Sequence, residues 1–122
     1  MARRRNIQYK RGDSWPPLDD VVSDRNGPMD LSGALSARFL MRLNNHEGVL
    51  QVDAAAVLGN DEVPATEGGI RYLWAVDGSD LAIAGTYVGE WEITWLDGVA
   101  TAPNGQGDYL EIVVSPDLGG TQ

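Results

Sequence analysis

Apolar and polar residues alternate one for one along residues 85–96, and this pattern commits the chain to extended backbone there. Tyr87, Gly89, Trp91, Ile93 and Trp95 fall on one side, Val88, Glu90, Glu92 and Thr94 on the other. A helix would scatter these residues around its circumference, whereas a strand, with period two, gathers each set on one face. The same alternation runs through 36–43, with Ala37, Phe39, Met41 and Leu43 inward and Arg38 and Arg42 outward. It returns in 108–115, where Leu110, Ile112 and Val114 oppose Tyr109, Glu111 and Val113.

Shorter runs at 7–10, 18–22, 49–53, 70–74 and 99–102 are weaker strand candidates. Between the runs stand turn signals: Asn26-Gly27-Pro28, Asn44-Asn45, Glu67-Gly68-Gly69, Asp77-Gly78, Asp97-Gly98 and Asn104-Gly105. Asp97-Gly98, between two alternating runs, predicts a two-residue hairpin loop. The one helix-like piece, Asp53-Ala54-Ala55-Ala56-Val57-Leu58, is too short to stand alone and reads equally well as a strand continuing from Val52.

Short strands at such spacing make a sandwich or a barrel. The segment Asp80-Leu81-Ala82-Ile83-Ala84-Gly85-Thr86-Tyr87 decides between them. Its form, D-x-A-x-x-G-x-Y at the mouth of the strongest strand, is that of a tyrosine corner, in which the Tyr hydroxyl bonds back to upstream backbone. Gly85 stands where a side chain would obstruct the corner. The predicted fold is therefore all-β: an immunoglobulin-like antiparallel β-sandwich of about seven or eight strands. Asp80, Ala82, Gly85 and Tyr87 form its corner, and Trp91 and Trp95 belong to its core. The expected organisation is a basic N-terminal arm at 1–6, the sandwich at 7–115 and a flexible tail at 116–122.

Charge is distributed unevenly. Residues 1–11 carry Arg3, Arg4, Arg5, Lys10 and Arg11 and no acid, while the remainder sets four arginines against all eighteen acids. An acidic body repels nucleic acid and anionic membrane, so neither is an expected partner. No apolar run approaches the ~20 residues of a membrane-spanning helix. No apolar stretch follows Arg3-Arg4-Arg5, so a secretory signal is not expected.

Chemistry is hard to find. There is no cysteine, which removes thiolate metal sites, disulfides and a cysteine nucleophile. The single histidine, His46, lies in the polar stretch Asn44-Asn45-His46-Glu47-Gly48 and reads as a solvated turn residue. Asp19-Asp20, Asp61-Glu62 and Glu90 with Glu92 are paired carboxylates, but acids are common throughout and a solvated face is the better account. Asp77, Ser79 and Asp80 could offer oxygens to calcium, yet the twelve-residue EF-hand pattern is missing. No catalytic residue, metal site or cofactor is expected, and the chain reads as a non-enzyme. Trp15, beside Pro16-Pro17 and outside any alternating run, reads as an interface anchor. With Arg3, Arg4, Arg5 and Lys10 it makes the expected partner-binding set.

Arg11-Gly12-Asp13-Ser14-Trp15-Pro16-Pro17-Leu18 resembles the opening of the amino-terminal domain of phage baseplate upper proteins. Asp24-Arg25-Asn26-Gly27-Pro28-Met29-Asp30-Leu31-Ser32-Gly33-Ala34 resembles that family's next element. Gly85-Thr86-Tyr87-Val88-Gly89-Glu90-Trp91 and Thr101-Ala102-Pro103-Asn104 follow in the family's order. The resemblance implies an Ig-like structural domain of a tailed-phage virion, made in the host cytoplasm. Its partners would be other virion proteins, in the tail or baseplate, or its own copies in a ring or lattice. It also makes Arg11-Gly12-Asp13 a strand-and-turn element and not an integrin ligand. Baseplate upper proteins continue into trimerising regions that these residues do not include, so decoration of a phage capsid is an alternative station. A different class of alternative is a carbohydrate-binding or host-adhesion module using Trp15, Trp74 and Tyr109.

Overall fold

The computed structural model describes the backbone of residues 4–24, 26–44, 49–102 and 109–116, with side chains from 7 onward in the first segment and from 110 in the last. Ten strands are described: β1 (Arg4–Lys10), β2 (Leu18–Val21), β3 (Ser23–Asp24), β4 (Gly27–Pro28), β5 (Ser36–Leu43), β6 (Val52–Leu58), β7 (Gly69–Tyr72), β8 (Gly85–Trp95), β9 (Gly98–Ala102) and β10 (Tyr109–Ser115). Two short 3-10 turns, Ala65–Glu67 and Ser79–Leu81, interrupt them. The chain is all-β.

Eight strands form one mixed, curled sheet in the order β1-β10-β8-β5-β6-β7-β2, with β9 continuing beside β8, and β3 pairs only with β4. The curl runs through β6. Its residues Val52 to Ala56 pair antiparallel with β5, while Val57 and Leu58 pair with β7. The sheet thereby folds back on itself and closes a sandwich-like core. β8 is served on one side by β5 along its length, and on the other by β10 in its first half and β9 in its second.

The three strongest alternating runs are the three strands that carry the core. Tyr87, Gly89, Trp91 and Ile93 of β8, Ala37, Phe39 and Met41 of β5, and Leu110, Ile112 and Val114 of β10 are all buried. Each large side chain so placed contributes roughly 1.5–3 kcal/mol relative to exposure. Gly89 keeps its place because a β carbon there would lie 2.9 Å from Phe39 Cζ and 3.0 Å from Ile112 Cδ1. Phe39 uses that space and stacks at ring-centroid distances of 4.9 Å on Trp91 and 5.1 Å on Tyr72.

Of the two readings open for the Ala-rich piece, the strand continuing from Val52 is the one found, β6, paired with β5 through Ala56 and with β7 at Val57 and Leu58. Other expectations are corrected. Residues 4–6, expected to belong to the arm, lie in β1, which begins at Arg4 and pairs parallel with β10, Arg4 opposite Tyr109 and Arg5 opposite Leu110. The sheet is consequently mixed, not purely antiparallel. The β8–β9 hairpin turns one residue earlier than predicted: Trp95 pairs with Gly98, leaving Leu96 and Asp97 as the loop. The positive φ (153°) sits on Gly98, just after the loop. His46, Asn104-Gly105 and residues 117–122 lie outside the described residues.

Candidate interaction surface

The loop between β1 and β2 is tied down at three points. Arg11 N–H donates to the Ser115 carbonyl (2.8 Å), Gly12 N–H to the Leu81 carbonyl (2.9 Å), and Asp13 N–H to the Lys10 carbonyl (3.0 Å). The Asp13 carboxylate also accepts from Lys10 N–H at 2.9 Å. In Arg11-Gly12-Asp13, then, the acid is turned back onto its own turn. Tyr9, buried beneath, donates its hydroxyl to the Pro16 carbonyl at 2.8 Å. On this anchored loop Trp15 stands 74 % exposed, next to a cis Trp15–Pro16 peptide bond. A large aromatic on an anchored loop needs little ordering of its backbone on binding, which is one condition of a useful anchor.

The remaining members of the expected partner set are scattered. Lys10 ends β1 and is exposed, Arg4 and Arg5 enter the sheet through their backbone, and Arg3 lies outside the described residues. Lys10 and Trp15 bracket the same loop.

At the corner, Tyr87 donates its hydroxyl to the Ile83 carbonyl at 2.6 Å, four residues upstream. Gly85 has φ 154°, and a β carbon there would come within 2.9 Å of Leu43 Cδ2. Asp80 closes the corner from beneath: its carboxylate accepts from the Tyr72 hydroxyl (2.7 Å) and from Ala75 N–H (2.8 Å). Burial, reinforced by Asp80, raises the Tyr72 phenol well above its ordinary value. Ala82 faces solvent, and Trp95 is only partly buried.

The oxygens considered for calcium are occupied within the loop. Asp77 accepts from Ser79 N–H at 2.9 Å and its carboxyl is held below the ordinary value by Ser79, while Asp80 is bonded as described. Among the described residues no group of three or more His, Asp or Glu could hold a metal ion. The adhesion alternative loses one of its aromatics: Trp74 is 3 % exposed and packs edge-on against Tyr9, Phe39 and Tyr72.

One residue is misread at the level of sequence. Asp20 is not on a solvated face; it is 7 % exposed and accepts from Trp91 Nε1 at 2.9 Å. A signal was present, since Asp20 alternates in phase with Leu18 and Val22, both buried. Its neighbour Asp19 points outward and holds Arg71 through two bonds of 2.6 and 2.9 Å, with Asp61 adding a third contact at 3.2 Å. These bonds, Asp19's first, raise the guanidinium further above its ordinary value.

The outer face of β5 and β8 carries an open depression of about 320 Å³, lined by Leu40, Met41, Arg42, Asn44, Leu50, Val88, Gly89 and Glu90. Glu92, the other half of the considered carboxylate pair, does not line it.

No family model matches the chain, and no curated protein is significantly similar to it.

Proposed function

We propose that this chain is a non-catalytic, immunoglobulin-like structural domain of a tailed-phage virion, stationed in the tail or baseplate and working by subunit docking. The observation that carries the reading is Trp15: an exposed aromatic on a loop hydrogen-bonded to β1, β10 and the Ser79–Leu81 turn, inside the very segment that resembles the baseplate family. The immunoglobulin-like assignment is supported by the corner bond from Tyr87 to Ile83 and by a first strand running parallel to the last. The mechanism is occupancy of a place. A rigid sandwich presents Trp15, with Lys10 at the start of the same loop, to an apolar pocket and an acidic rim on a neighbouring subunit.

The experiment is quantitative mass spectrometry of purified particles. The chain is expected at a stoichiometry matching a ring symmetry, and a head-lattice stoichiometry would move it to the capsid. Trp15→Ala should leave the melting temperature nearly unchanged, as an exposed site away from the core, and should lower incorporation into particles. A chain present in lysate but missing from purified particles would end this reading.

A further inference from the structure

The outer face of the β5–β8 ladder has an arrangement of charge that the fold itself does not use. Pairing in register places Leu40 opposite Glu90 and Arg42 opposite Val88. The four side chains thus form a lozenge on one face, with Leu40 and Val88 on one diagonal and Arg42 and Glu90 on the other. Leu40, Arg42 and Val88 are partly buried, Glu90 is exposed, and exposed Leu50 stands on the rim of the depression they line.

The arginines of neighbouring strand positions are already matched. Arg38 holds Asp53 at 2.6 Å and Arg71 holds Asp19 at 2.6 Å. Among the described residues Arg42 instead makes only long bonds, 3.4 and 3.3 Å, to the Leu43 and Asn44 carbonyls. Among the described residues no ion pair joins it to a carboxylate or Glu90 to a cation. Diagonal neighbours lie about 7–8 Å apart, and these two do not close the gap.

We propose that this face docks a second copy of the chain, about a two-fold axis that sets Arg42 of each copy against Glu90 of the other. The choice of occupant rests on self-complementarity. An isologous contact must present one patch to itself. A two-fold axis along the strands would lay Arg42 over Val88, and one across the strands would lay it over Leu40. Either would strip water from an unpaired charge, which is costly. An axis along the Leu40–Val88 diagonal returns the apolar pair to itself and exchanges the Arg42 and Glu90 positions. Only this last arrangement makes two ion pairs around an apolar centre. The sheets then cross steeply, one of the two common ways that sheets pack. The formal net charge of −9 on each copy opposes the contact, so the pairing is modest and concentration-dependent. It does not depend on the virion reading, because it is a property of the purified chain.

The test is sedimentation equilibrium of the wild type, R42E, E90R and the double variant R42E/E90R, with thermal melts to establish that each is folded. Wild-type mass should rise toward two copies with concentration. Each single reversal should weaken association by roughly tenfold or more, and the double reversal should restore it. Should a reversed variant melt early, R42Q and E90Q take its place, each with a smaller loss in the same direction. A wild type that stays monomeric at every concentration overturns the proposal. So does a dimer indifferent to the single changes, or a double variant as weak as the singles.

Discussion

On the inner side of the β5–β8 ladder a carboxylate meets a tryptophan; on the outer side a carboxylate meets an arginine. Asp20 reaches from β2 to Trp91 at 2.9 Å with water excluded from both. Asp53 of β6 meets Arg38 of β5 at 2.6 Å, with both side chains nearly half exposed. The outer contact is shorter and carries full opposite charges, yet it is the weaker contributor. Water would solvate Arg38 and Asp53 almost as well apart, so such a pair is worth about 0.2–1 kcal/mol. Asp20 has no such recourse, and a buried polar group that loses a partner costs about 1–3 kcal/mol. Distance and formal charge rank the two contacts one way, solvent access the other. Solvent access decides.

Truncating the inner partner should separate the two most. Trp91→Ala should cost about 3–5 kcal/mol by opening a cavity beneath Phe39, read from the denaturant midpoint at constant m-value. Trp91→Phe keeps most of the apolar volume and removes one donor to Asp20, that to its Oδ2, so its cost should fall to about 1–3 kcal/mol. A negligible loss in Trp91→Phe would mean that packing alone, and not the hydrogen bond, distinguishes the inner face.

Tyr87→Phe asks whether a buried bond to backbone behaves like the one to Asp20. Removing the hydroxyl from the Ile83 carbonyl should cost about 1–3 kcal/mol, and a loss below a few tenths would show that water replaces it.

Alkali should also act on the inside first. Tyr9, Tyr72 and Tyr87 are all raised from an ordinary 10.0, burial being the largest cause in each. The unfolded chain releases these protons near pH 10 while the fold retains them to higher pH. Stability from this source is therefore complete below about pH 10 and declines as pH rises beyond it. Melting temperature against pH should bend downward there, and Tyr72→Phe should flatten the bend. A curve unchanged by that substitution would remove Tyr72 from the account.

The smallest effect belongs outside. Arg38→Ala should cost under about 1 kcal/mol, and raised salt should shrink the difference from wild type because exposed pairs are screened. A cost matching Trp91→Phe, insensitive to salt, would break the contrast between the faces.

Alternation is a local property, and what it encodes was readable from the chain alone. Residues 36–43 and 85–95 are strands, with Phe39, Met41, Tyr87, Trp91 and Ile93 on the buried side. A wrong register would turn that whole set to water, so little freedom was left. The same rule applied to 18–22 places Asp20 inward, but a carboxylate in an acid-rich chain reads as solvated until its partner is known. That partner is 71 positions away. Trp15 and Trp74 obey the local rule: Trp74 alternates in phase with Ile70 and Tyr72 and is buried with them, whereas Trp15 stands outside any run and is exposed. The parallel course of β1 beside β10, the crossing of β6 between two pairings and the lozenge of Leu40, Arg42, Val88 and Glu90 were likewise settled only when distant strands met. Composition and period decide which atoms must leave water; which neighbours they find is decided by the fit of surfaces far apart in the chain.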